Sequence, residues 1–222
     1  MSQINADLNL FSAADLGSME WVQSPAAGVW RKRLYVDGPS EIAKVTSVVR
    51  YEAGARFPEH GHPGGEEILV LEGTFSDQKG HFGAGWHLLN PNDSRHESYS
   101  EEGCRILVKL RQYSDKDTIH QDTGQLAWKR GSTNGVSFKS LYENAERGIT
   151  TNIVHLEKGV SIPFQKFSGG MEIYVIDGDF EDEFGMHGGG SWLRYPPDAG
   201  NSISTGSGCK LYVQMGGLDI GG

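Results

Sequence analysis

Glu67-Ile-Leu-Val-Leu-Glu-Gly73-Thr-Phe75-Ser-Asp77 returns 105 residues later as Glu172-Ile-Tyr-Val-Ile-Asp-Gly178-Asp-Phe180-Glu-Asp182. Outward from this stretch the same shift sets Gly54 on Gly159, Gly80 on Gly185, Gly85 on Gly190, Pro91 on Pro196, Asp93 on Asp198 and Gly103-Cys104 on Gly208-Cys209. Upstream the shift becomes 107, with Trp21 on Trp128, Gly28-Val29 on Gly135-Val136 and Leu34-Tyr35 on Leu141-Tyr142. The chain is therefore two copies of one unit. The polar stretch from Tyr113 to Gln121 reads as the seam, which divides the 222 residues into 1–116 and 117–222.

Each copy reads as β. Val45–Arg50, Ile68–Leu71 and Arg105–Leu110 in the first copy are short β-branched or aliphatic runs, and Thr151–His155, Ile173–Ile176 and Lys210–Met215 repeat them in the second. Gly and Pro clusters bound these runs, and 31 glycines supply the many turns that short strands need. The only helical expectation is a short turn around Ser12-Ala-Ala-Asp-Leu16. Strands spaced this closely predict an all-β chain of two tandem sandwich or barrel domains.

Charge and composition narrow the partners. Twenty basic against 29 acidic residues give a net charge of −9, which disfavours nucleic acid and anionic membranes as partners. No apolar run approaches the ~18 residues needed to cross a bilayer, so the expectation is a soluble chain. No signal peptide is visible at Met1-Ser-Gln-Ile-Asn-Ala-Asp, and a cytoplasmic location is the default expectation. Two cysteines, Cys104 and Cys209, are too few for a disulfide framework. Equivalent positions in two barrels would point into two different cores, so core packing rather than a mutual bond is expected of them.

The chemistry lies in the first copy. His60 and His62 stand at i and i+2, so on an extended strand both imidazoles face one way. Pro63-Gly64-Gly65 turns the chain and Glu66 opens the next strand, while His96 comes from a later one, beyond the Pro91–Ser94 turn. Three imidazoles and a carboxylate suit a borderline divalent metal: Zn²⁺, Fe²⁺, Mn²⁺ or Ni²⁺. His81, His87, His120, His155 and His187 read by default as surface or satisfied residues.

The string Gly54-x5-His60-x-His62-x3-Glu66-x6-Gly73, followed by Gly85-x5-Pro91-x4-His96, resembles the two-part signature of the cupin superfamily. The resemblance implies two tandem jelly-roll barrels of the cupin type, and a metal held in the first by His60, His62, Glu66 and His96. Asp93 stands where the signature has Gly and Ser100 where it often has Asn; neither is a ligand position. Glu66 is preferred to Glu67 because it keeps six residues before Gly73. Glu67 also has a counterpart, Glu172, in a copy without the other ligands, as a structural residue would.

A closer resemblance rests on three runs: Pro25 through Gly28-Val29-Trp30-Arg31-Lys32, Gly64 through Gly73-Thr-Phe, and Gly103-Cys104 through Leu110. These look like the ChrR-type cupin, the zinc-binding C-terminal domain of an anti-sigma factor that answers singlet oxygen and other oxidative stress. The resemblance is strong over about residues 20–110 and weak over 125–215. It implies zinc and a regulatory role. ChrR proteins bind the sigma factor through a helical N-terminal domain, for which the roughly twenty residues before the first barrel leave no room. Direct sigma-factor binding is therefore not expected.

In the second copy His60 becomes Gln165, His62 becomes Phe167, Glu66 becomes Met171 and His96 becomes Asn201. It reads as a degenerate structural partner, or else as an apolar pocket with Gln165 and Asn201 as polar anchors. The expectation is one divalent metal per chain, zinc first, with iron, manganese or nickel as alternatives. Function reads first as a metal-binding, stress-sensing regulator without O₂ consumption on its native metal. The second reading is an Fe²⁺-dependent dioxygenase acting on a small diketone or phenol. A small-molecule ligand and a homo-oligomer are both compatible with the sequence, and no catalytic residue beyond the metal ligands is marked by it.

Overall fold

The computed structural model describes residues 3–218. Twenty strands follow in chain order. They open with β1 (Ser12–Asp15), β2 (Val22–Gln23), β3 (Val29–Asp37), β4 (Lys44–Tyr51), β5 (Ala55–Gly61), β6 (Glu66–Asp77), β7 (Gly80–Gly83), β8 (Trp86–Asn90), β9 (Arg95–Ser100) and β10 (Cys104–Leu110). The second set is β11 (Ile119–Asp122), β12 (Lys129–Arg130), β13 (Val136–Asn144), β14 (Ile149–Leu156), β15 (Ser161–Lys166), β16 (Met171–Asp182), β17 (Gly185–Gly188), β18 (Ser191–Tyr195), β19 (Gly200–Ser204) and β20 (Cys209–Met215). Among the described residues the only helical elements are two 3₁₀ turns, Leu16–Ser18 and Thr123–Gln125. The all-β expectation is met.

The first compact unit holds Met19–Gln125 with the described residues before Asp7; the second holds Asp7–Ser18 and the described residues from Leu126 onward. The strands of the first unit run β11-β8-β6-β10-β4-β3-β2, with β5, β7 and β9 completing the opposite wall through the far half of β6. The second unit repeats this order as β1-β18-β16-β20-β14-β13-β12, with β15, β17 and β19 opposite. All strand pairs among the described residues are antiparallel. This is a jelly-roll barrel built twice.

β6 shows how local sequence makes the barrel close. Its first half pairs with β10 and β8, and its last four residues pair with β7. The strand changes wall at Gly73, whose φ of +67° is a left-handed conformation natural to glycine, and β6 bulges just before it, with Leu71 the extra residue between the pairs Val70–Ile106 and Glu72–Arg105. Gly178 does the same in β16 at φ +76°. Inside the first unit Val29, Val49, Ile68, Val70, Phe75 and Ile106 form the core, and Ile173, Val175, Phe180, Leu211 and Val213 answer in the second. Each fully buried side chain of this kind is worth roughly 1.5–3 kcal/mol.

Two segments depart from the cut expected at 116/117. β11, which opens the second copy, pairs in the first unit with β8, and β1, which opens the first copy, pairs in the second unit with β18. Ser12–Asp15 is accordingly a strand and not a helical turn. Paired along Ser191–Arg194, it satisfies its backbone groups in a ladder, which outweighs the weak helical tendency of four residues. The 3₁₀ turn falls just after it.

Cys104 and Cys209 are free and buried, one in each core. Burial pushes both thiols up from near 9 to about 11, so neither has the thiolate character of a reactive cysteine. Native protein at pH 8 should not react with a disulfide reagent, whereas the denatured chain should release two equivalents. The folded state holds these protons up to about pH 11 and the unfolded state loses them near pH 9. Stability should therefore fall as pH rises through that window, as read by denaturant midpoints.

Candidate metal centre

His60 lies on β5, directly opposite His96 on β9 in the cross-strand register. His62 follows one residue beyond β5, where the Pro63-Gly64-Gly65 turn hands the chain to Glu66 at the start of β6. The turn is held by Gly65 N–H donating to the His62 carbonyl at 3.0 Å. Asp93, at the position where the signature has Gly, has φ +64°, a conformation that Asp tolerates better than most side chains. The ligand atoms of His60, His62, Glu66 and His96 all lie within 4.8 Å of one another, with His62, Glu66 and His96 buried. The sequence-predicted set is brought together complete.

Partners outside the cluster orient each ring. His60 Nδ1–H donates to the Pro58 carbonyl at 2.9 Å, and His96 Nδ1–H donates to the Asp77 carboxylate at 3.2 Å. His62 Nδ1 meets Ser94 Oγ at 2.9 Å. With Nδ1 engaged in this way, Nε2 presents its lone pair inward. His62 Nε2 and His96 Nε2 stand 3.4 and 3.8 Å from Glu66 Oε2, which also accepts from Asn90 Nδ2 at 3.1 Å. His120, on β11, in turn meets Asn90 Oδ1 at 3.2 Å.

The electrostatics fit a cation. Burial, then the neighbouring His96 and His60, push the His62 imidazole down to about 3, and burial also lowers His60. Burial raises the Glu66 carboxyl. Burial would raise Asp77 too, but its bonds from His96 and the Lys79 amide outweigh that and hold it low. His62 Nε2 is buried with no hydrogen-bond partner, an orphan that a metal–ligand bond would satisfy. Three imidazoles and one carboxylate gathered in this way are the donor set of a divalent metal site.

Glu67 has a different role. It points away from the cluster and accepts from His87 Nε2 at 2.8 Å, both groups buried. In the second unit the counterpart Glu172 accepts from Trp192 Nε1 at 2.7 Å, with Trp192 at the position of His87. This carboxylate therefore serves the wall of each barrel, whatever the partner. Of the histidines set aside by default, His81, His87, His120 and His187 are hydrogen-bonded and His155 is exposed.

In the second unit Gln165 and Asn201 occupy the cross-strand pair that His60 and His96 make in the first. Phe167 and Met171 are buried in the second core, so apolar side chains fill the space that the other two ligands would line. Asp182, the counterpart of Asp77, accepts from Tyr195 Oη and His187 Nε2 and no longer orients a ligand.

A cavity of about 220 Å³ opens onto the cluster, lined by His60, His62, Glu66 and His96 together with Val29, Val49, Phe57 and Ile68. Arg31 and Arg33 line it as well. Sequence reading passed over both, and over the Asp77, Ser94 and Asn90 supports. The available signal was a pair of charges two apart on an otherwise core-forming strand.

The family described as the ChrR cupin-like domain matches the chain twice, over residues 12–114 and 116–219. The chain belongs to that family. No curated protein matches it. Among solved structures, a Nostoc punctiforme protein with a provisional dioxygenase assignment superposes at TM-score 0.78 and 14% identity, covering 92% of this chain and 82% of its own. A nickel(II)-bound pirin from Escherichia coli gives 0.68 at 15%, covering 93% and 99%. An oxalate decarboxylase variant from Bacillus subtilis gives 0.65 at 12%, covering 92% and 76%. At these identities the likeness is one of fold: this ChrR cupin-like chain is a tandem cupin, or bicupin, with a His₃Glu cluster able to bind a metal ion in its first barrel.

Proposed function

We propose that the chain is a metal-dependent enzyme, binding one divalent ion through His60, His62, Glu66 and His96 and using O₂ to cleave a small keto or phenolic substrate. The observation that carries this reading is the cavity, which opens directly onto the four side chains and is walled by apolar residues together with Arg31 and Arg33. A closed structural site would need no such space. Bound iron would supply a place for O₂ and substrate to meet; zinc, without redox chemistry, would not. The chain's own residues provide the rest. Asp77, Pro58 and Ser94 hold the three rings in orientation, and Val29, Phe57 and Ile68 exclude water from the space above them. The regulatory reading that the sequence favours is the second one, supported by the ChrR cupin-like membership, with the cavity as the seat of a small signal molecule. The buried thiols count against sensing through cysteine.

The test is anaerobic Fe²⁺ loading followed by oxygen-electrode assays on small β-diketones, hydroxyacetophenones and keto acids. Turnover well above a His60→Ala control, absent with zinc, is the expected result. No oxygen uptake across the panel, with one iron bound per chain, would return the regulatory reading to first place.

A further inference from the structure

β3 breaks the pattern of a barrel wall. Val29, Arg31 and Arg33 alternate onto its inner face, and all three line the cavity above the metal cluster. Val29 is fully buried, as a core valine should be. The arginines that follow it are half-buried cations on a face where an apolar pair would be the ordinary choice. Among the described residues no acidic side chain forms an ion pair with either one, in a chain that carries 29 acids. Arg31 Nε is buried without a hydrogen-bond partner, and its guanidinium stands 5.5 Å from the centroid of the Phe57 ring, which in turn lies 4.8 Å from the ring of His60. Burial and then Arg33 press on the charged state of Arg31. Arg111, also on the cavity wall, is already committed to the carbonyls of Ala43 and Glu41.

The second copy serves as an internal control. Shifted by 107, Lys32 on the outer face becomes Lys139, and each lysine sits over the matching tryptophan, Lys32 on Trp21 at 4.6 Å and Lys139 on Trp128 at 4.7 Å. The inner-face arginines are not kept: Arg31 becomes Phe138 and Arg33 becomes Ser140. Tyr51 and Ser98, a buried hydroxyl pair 2.9 Å apart on the same cavity, become Leu156 and Ile203. The arginines are absent from the copy that lacks the four ligand residues, while the outer-face contact of Lys32 on Trp21 is kept there as Lys139 on Trp128. Lys139 and Glu172, whose partners belong to the barrel wall, are kept in that copy; the two cavity arginines are not.

We propose that Arg31 and Arg33 form the anion subsite of the metal cavity, and that its ligand is a small carboxylic acid whose carboxylate lies against Arg31 and whose apolar body fills the space toward the metal. This rests on the metal-site reading above and narrows its substrate class. A planar guanidinium fork matches a carboxylate in two parallel hydrogen bonds. The apolar walls at Val49, Phe57, Ile68 and Val108 favour a carboxylate with a short hydrocarbon or keto body over a fully hydrated inorganic anion. At ~30 Å³ per water in the liquid, the cavity has room for about seven waters, which limits the acid to a few carbons.

The test is binding, not turnover, on the full chain loaded with zinc. Acetate, isobutyrate and pyruvate are titrated calorimetrically against isobutyramide, the neutral isostere, and inorganic phosphate. Isobutyrate or pyruvate should bind at least tenfold more tightly than the amide and than phosphate. Arg31→Met should lose roughly ten- to a hundred-fold of that affinity while still holding one zinc and melting cooperatively; Arg33→Met should lose less. Arg56→Met, an exposed arginine of the same barrel outside the cavity, should bind as wild type does. Zinc bound with no preference for the acids, tighter binding of phosphate, or an equal loss in Arg56→Met would overturn the subsite. Absence of zinc from the wild-type chain would instead strike the metal-site reading beneath it.

Discussion

His96→Ala should release the metal. The ring is buried, it is the cross-strand partner of His60, and its Nδ1–H is held by Asp77, so no neighbouring group can take its place. Elemental analysis of the wild-type chain should give one divalent metal, since Gln165, Phe167, Met171 and Asn201 replace the four donors in the second unit. Loss of a direct ligand should cost more than the ten- to a hundred-fold in affinity typical of an outer partner, and Asp77→Asn should show that smaller effect. The two adjacent glutamates separate sharply. Glu66→Gln should weaken binding nearly as much as His96→Ala. Glu67→Gln should leave stoichiometry and affinity close to wild type while lowering stability by about 1–3 kcal/mol through its buried bond to His87. Two metals per chain, or a larger metal loss from Glu67→Gln than from Glu66→Gln, would refute the assignment of the centre.

Gly73→Ala should be among the most destabilising single substitutions in the first unit. A Cβ at Gly73 would sit 2.1 Å from the Gly103 carbonyl oxygen, a backbone atom just before the Cys104–Gly73 pair that ends the β6–β10 ladder, in addition to the strain of φ +67°. The ladder must shift for the methyl to fit, so a loss of more than ~3 kcal/mol is expected. Gly54→Ala is the matched control. Its φ is +76°, but a Cβ there meets nothing within 4 Å, so only the conformational cost of about 1 kcal/mol remains. Gly178→Ala, 2.2 Å from the Gly208 carbonyl, should reproduce the Gly73 effect in the second unit. Thermal melts of the three variants rank them. Equal losses at Gly54 and Gly73 would show that the corner depends on conformation alone and not on the close approach of β10.

Much of this protein is decided by local sequence. The 105-residue repeat, the period-two apolar runs and the glycine spacing determine two β-barrels of one design, because side-chain alternation and turn chemistry act over a few residues. Three of the four ligands follow from the same short range: His60 and His62 stand two apart at the end of one strand, and a three-residue turn delivers Glu66 to the next, whereas His96 on β9 was legible only through the resemblance to the cupin signature. Even the structural role of Glu67 is legible, through its counterpart Glu172. What only the tertiary structure decided is non-local. β1 and β11 are four-residue edge strands that could have closed either barrel on their own pattern, and only pairing with β18 and β8 assigns them. The inward turn of Arg31 and Arg33 depends likewise on register against β4 and on the bulge between Arg33 and Tyr35. Alternation divides a strand into two faces, but which face meets the barrel interior is settled by strands far away in sequence, and with it whether two charges belong to solvent or to a binding cavity.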